Sequence, residues 1–134
     1  MNFSHTHKVL WAATVPGASV RERVEVAAAT GFGHVSFSPA DDAAVRATGT
    51  TPQEFVKWAA DQDVKVDICD AVVEWYPHPP PKRPLDSMAF TVDQVLDIAA
   101  SFGAQSVSAL PAFPCDLGND GFVEYFASLC DKAA

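Results

Sequence analysis

Four short apolar segments rich in β-branched residues recur along this chain, at residues 9–15, 34–38, 64–69 and 105–110. Each has the length and composition of a buried strand. Each is followed, directly or after a loop, by a helix with its own start signal. Strands and helices alternating at intervals of roughly 25 to 40 residues imply right-handed crossovers and a parallel sheet. No linker-like stretch interrupts the pattern, so residues 1–134 read as a single (β/α)4 domain.

The helix starts are specific. Ser19 precedes Glu22 by three residues, Thr51 precedes Glu54, and Thr91 precedes Gln94. In each pair the hydroxyl and the longer polar side chain can satisfy each other's orphan backbone N–H. Pro52 stands at a first helical position, where its missing N–H costs nothing. Val20, Val24, Ala27 and Ala28 line the first helix, and Gly31 supplies its left-handed stop. Phe55, Trp58, Ala59 and Gln62 share a face of the second, apolar for its first turn only, and Phe55 and Trp58 are assigned to core packing. Val95, Ile98, Ala99 and Phe102 line the third, which Gly103 ends. The fourth starts near Asp120 and carries Phe122, Tyr125, Phe126 and Leu129 at helical spacing. A short extra helix at 41–47 opens on Asp41 and Asp42, whose carboxylates complement the helix dipole.

An apolar share of 49% and a charged share of 19% belong to a folded chain rather than a disordered one. No apolar run approaches the ~18 residues of a membrane span. Residues 1–8 are polar and unlike a secretory leader. Cys69, Cys115 and Cys130 are widely spaced without a CxxC pair, which suits free thiols in a reducing cytoplasm. The net charge is −8, and nine Lys and Arg are spread thinly. That argues against a nucleic-acid partner, which needs a basic face to replace phosphate counterions.

Four βα units close in one of two ways: as half of an eight-stranded TIM-like barrel, or as a small open, doubly wound, flavodoxin-like sheet. The turn after the first segment, Thr14-Val-Pro-Gly-Ala-Ser19, has one glycine and no phosphate-binding fingerprint. The loops after the second and third strands are long, and the third carries the proline run at 77–84. Both features favour the half-barrel.

The order of pieces resembles the xylose-isomerase-like barrels of sugar phosphate isomerases and epimerases, over their N-terminal half. The resemblance is carried by residues 19–37 (Ser-Val-Arg-Glu-Arg-Val-Glu-Val-Ala-Ala-Ala-Thr-Gly-Phe-Gly-His-Val-Ser-Phe), by 99–107 (Ala-Ala-Ser-Phe-Gly-Ala-Gln-Ser-Val) and by the aromatic loop Glu74-Trp-Tyr-Pro. It implies a metal-dependent isomerase or epimerase, or a related dehydratase or lyase, acting on a small sugar or polyol. It also implies one divalent metal (Mn, Mg, Zn or Co) held by two Glu, an Asp and a His at strand ends. The first of those glutamates is expected on a fifth strand, so no ligand is assigned here and this chain alone is expected to bind no metal. The DNA-repair branch of these barrels takes further His ligands after strands three and four. Val66-Asp-Ile-Cys-Asp70 and Ser108-Ala-Leu-Pro111 lack them.

Barrel enzymes place function at the C-terminal ends of strands. By that geometry the candidate substrate-binding residues are Trp11, Ser38, Asp67, Asp70, Trp75, Tyr76 and His78, with Thr14 beside them. Trp75 and Tyr76 either wall a sugar pocket or cap the barrel rim. Asp67 and Asp70 either do acid–base or hydroxyl-binding work or serve a turn and the rim. His78 is a ligand-binding or a solvated loop residue. Cys69 is a buried structural thiol, because a nucleophile needs a lowered pKa and a nearby His. His5 and His7 alternate like metal ligands but form an incomplete pair. Catalytic residues are unassigned.

A half-barrel also exposes two strand edges and a bare inner face, expected here from Leu10, Val35, Phe37, Val66, Ile68 and Val107. Neither edge shows the lysines, prolines or short length that blunt a free strand. The expected partner is therefore a second half-barrel or another copy of the chain.

Overall fold

The computed structural model describes residues 8–78, 86–112 and 121–134. His5, His7, Cys115, Asp120 and the proline run beyond His78 lie outside the described residues. Among the described residues the strands are β1 (Val9–Leu10), β2 (His34–Phe37), β3 (Lys65–Val72) and β4 (Ser106–Ala109). The α-helices are α1 (Val20–Thr30), α2 (Pro39–Ala47), α3 (Pro52–Ala60), α4 (Val92–Phe102) and α5 (Phe122–Ala133). Every pair of neighbouring strands is parallel, and the order across the sheet is β1-β2-β3-β4. A doubly wound sheet reverses direction at a switch point. This one does not, and with right-handed crossovers a monotonic order keeps the crossover helices on one face. The protein is α/β, a parallel (β/α)4 sheet wound as a barrel segment is wound.

The local signals form as their chemistry dictates. Glu22 Oε2 accepts the Ser19 N–H at 2.8 Å while Ser19 Oγ accepts the Glu22 N–H at 3.2 Å. Thr51 with Glu54 and Thr91 with Gln94 repeat the exchange. Gly31 and Gly103 end α1 and α4 at φ 75° and 66°, a conformation in which a Cβ would be strained. Ala28 is exposed, and Arg23 takes its place on the buried stripe of α1. The short extra helix begins two residues earlier than expected, on Pro39.

The core lies between the sheet and these helices. Leu10, Val35 and Val66 are aligned across β1, β2 and β3, and Phe37 and Cys69 across β2 and β3. All five are buried. Phe37 stacks on Phe102 of α4 with centroids 4.3 Å apart, and Phe55 of α3 meets Phe102 edge-on at 6.4 Å. Arg21 lays its guanidinium 4.0 Å from the ring centroid of Trp58.

That arrangement corrects three expectations. Leu10, Val35, Phe37 and Val66 do not line a bare inner face; they are consumed under the helices, and Val107 aligns with Cys69 on the same side. Of the six, Ile68 alone aligns with the other face, between Ser36 and Ser106. The first strand is two residues long, not seven, because the chain turns into a 3-10 helix at Ala12–Thr14. The β1 edge is therefore blunted by its shortness. The third strand runs three residues past Cys69, to Val72.

Candidate functional site

Because strand side chains alternate, the face away from the helices is set by the same register. It carries Val9 and His34, then Ser36, Ile68 and Ser106 in one row, then Asp70 beside Ser108. Two register shifts shape it. Val35 pairs with Val66 but Ser36 with Ile68, so Asp67 is an extra residue in β3; Ala71 is another, between Asp70 and Val72. The first bulge brings Asp67 to His34, whose Nδ1 lies 2.9 Å from Oδ1 and 3.2 Å from Oδ2. Ser36 is fully buried, and its Oγ accepts the Ala12 N–H at 2.8 Å. This bond draws the turn after β1 over the sheet.

The predicted site residues separate into three groups. Asp70, half-buried near the end of β3, and Trp11, 41% exposed just past β1, stand where a barrel site stands. Thr14 is exposed in the 3-10 turn. The second group is engaged in structure. Ser38 caps α2, giving its N–H to Asp41 Oδ2 at 2.7 Å. His78 Nε2 lies 2.9 Å from Glu74 Oε1. Asp67 is bound to His34 low on the sheet rather than at its C-terminal end. The third group is Trp75 and Tyr76, buried under α5: Trp75 donates its indole N–H to Leu110 O at 3.0 Å and packs edge-on against Phe122 and Phe126. Tyr76 meets Phe122 and Tyr125. The aromatic pair is packing beneath the last helix, which leaves Trp11 as the exposed aromatic at the rim.

Sequence reasoning missed His34, Ser36, Ser106 and Ser108. The signal was present, since His-Val-Ser-Phe and Ser-Val-Ser-Ala alternate polar and apolar as a half-buried strand does. It also missed the buried ion pair of Arg23 with Asp41. Arg23 Nη1 donates to Ala18 O at 2.8 Å, so this side chain ties the loop after β1 to the start of α2, beside the ends of β1 and β2. Cys69 sits nearby, fully buried, with its thiol pushed up to about 12 by burial and by the charges of Asp70 and Asp41. It is a packed thiol and no nucleophile.

A concavity of about 490 Å³ lies among Gly33, His34, Ala60, Asp63, Val64 and Lys65, at the N-terminal ends of β2 and β3. In a barrel this N-terminal end serves stability rather than chemistry. Among the described residues no three His, Cys, Asp or Glu side chains gather as a metal site requires. The ligand set implied by the isomerase-like barrels is not met by the described residues. No described helix is long and apolar enough to cross a membrane. Compared with known protein families and with curated proteins, the chain matches none.

Proposed function

We propose that the chain is the first half of a sugar isomerase- or epimerase-like barrel, or of a related dehydratase or lyase, and supplies one wall of its polyol pocket. One observation carries this reading: the sheet face away from the helices is polar, with Asp70 and Ser108 paired near its C-terminal end and Trp11 exposed at the rim. A carboxylate accepts hydrogen bonds from two vicinal hydroxyls, and a serine both donates and accepts. An indole face covers the apolar side of a sugar ring. In this reading the divalent metal and the acidic groups that move the proton come from a second half.

The second reading is a catalytically silent half-barrel that acts by assembly. It is favoured by the apolar side chains left exposed along the two ends of the sheet, Trp11, Val26, Leu110, Val123 and Phe126. Nuclear magnetic resonance titration with free pentoses, hexoses and inositol tests the first. Shifts at Asp70, Ser108 and Trp11, lost in Asp70→Asn, support the pocket wall. No shift with any of these ligands removes it. Metal-dependent turnover by the 134-residue chain would show that the chain carries its own catalytic centre.

A further inference from the structure

The two ends of the sheet are built to meet each other. On α1, Arg21 reaches over Trp58 of α3, which fixes the flank turned toward the rest of the protein. Val26, five residues on, projects about 140° around the helix from Arg21. It is 40% exposed, on the flank that borders the β1 edge. On α5, Lys132 bonds Asp93 of α4 at 2.9 Å, fixing its inner flank. Val123, nine residues earlier, projects to the opposite flank, bordering the β4 edge, and is 72% exposed. Phe126, 45% exposed, lies beside it. At the sheet itself, Trp11 directly follows β1 and Leu110 directly follows β4, 41% and 44% exposed. Each end thus offers an apolar rim residue and an apolar helix flank.

We propose that two copies of the chain close on each other about a two-fold axis, the β1–α1 end of each meeting the β4–α5 end of the other. Trp11 of one copy then covers Leu110 of its partner, and Val26 packs against Val123 and Phe126. The axis runs along the strands, so all remain parallel and two equal seams form. This inference rests on the half-barrel part of the proposed function and not on its substrate.

Area and charge favour a second copy as the occupant. The five side chains leave roughly 400 Å² of apolar surface per copy. Two seams cover it on both copies, supplying about half of the ~1,600 Å² that a stable interface buries, before strand edges and the remaining helix surface are included. A net charge of −8 opposes association of like chains unless the acids are kept out of the seam. Among the described residues, Glu124 and Asp131 project from the solvent side of α5 and Glu25 from that of α1, while Glu22, one turn before Val26, has its carboxylate held by Ser19. With β1 reduced to two residues, rims and helix flanks rather than a long strand ladder hold the seam.

Sedimentation equilibrium of the full chain across a hundred-fold dilution is the test. A reversible species of twice 14.3 kDa is expected, with Val123→Glu and Val26→Glu each raising the dissociation constant at least ten-fold. Asp131→Asn, on the solvent side, leaves it unchanged. Circular dichroism confirms that the exposed-site variants fold. In a mixture of Trp11→Cys and Leu110→Cys chains, each with Cys115 and Cys130 replaced by serine, a short bis-maleimide should link the two variants into a covalent dimer. A monomer at every concentration, an open-ended ladder of oligomers, or a dimer indifferent to both Glu variants overturns the proposal. Polyol binding by a persistent monomer would sink the seam while leaving the pocket wall. A dimer blind to polyols would do the reverse.

Discussion

The helix layer over β2 and β3 and the last unit, β4 with α5, use the same kinds of residue and reach opposite states. Phe37, Phe55 and Val95 are 0 to 2% exposed, whereas Val123 is 72% and Phe126 45% exposed. The helical spacing in α5 is as regular as in α4. The difference lies in neighbours. Phe37 is stacked on Phe102 of α4 and fully buried, while α5 rests on Trp75, Tyr76 and the Lys132–Asp93 bond. A concavity of about 440 Å³ remains between α5, α4 and β4. An apolar stripe predicts that a helix face seeks cover; it does not say whether the cover is present in the same chain.

The largest test of that contrast is Phe37→Ala against Val123→Ala. Removing the stacked, fully buried ring should cost about 3–5 kcal/mol, and trimming Val123 no more than about 0.5 kcal/mol in the monomer. Urea unfolding measures both, and equal costs would erase the distinction between the two regions.

Trp75 sits on the boundary between them. Trp75→Ala should cost about 3 kcal/mol and loosen α5, since the ring holds Phe122 and Phe126. Trp75→Phe keeps a ring and removes the bond to Leu110 O, for about 1 kcal/mol. Unchanged stability together with lost sugar binding would return Trp75 to the pocket wall.

The smallest effect sharpens the comparison inside the well-packed layer. Hydrogen bonds from the backbone and the side chain of Ser19 hold the Glu22 carboxyl below its ordinary value, and those of Thr51 do the same for Glu54. A lowered folded value means stability that is present above the ordinary carboxyl value of 4.5 and lost as pH falls through the folded values. The Thr91–Gln94 box has no such titration. Acid unfolding of Glu22→Gln with Glu54→Gln should therefore show a shallower loss of stability than the parent. An identical acid limb would remove these caps as its cause.

Much of this protein is local and therefore legible from its residues. The three capping boxes, the glycine stops and the four strands follow from groups three or four positions apart, whose chemistry needs no distant partner. The parallel sheet follows from their alternation. The burial of Cys69 and Phe55 follows from their place in apolar runs. The candidate site was legible only at Asp70 and Trp11, because strand ends fall where helices begin.

Faces, pairs and exposure were decided by tertiary structure. One extra residue in β3, Asp67, sets Val66 and Ile68 on opposite faces despite their even spacing, and a one-residue slip moves every later side chain across the sheet. The same bulge brings Asp67 to His34, 33 positions away, and the turn after β1 hides Ser36. No sequence period encodes those meetings. Trp75 became packing because α5 lies over it, and Val123 stays bare because nothing in the described chain lies beside it. Local sequence chemistry determined which elements form; the register between strands and the count of neighbouring elements determined which of their residues remain free to bind.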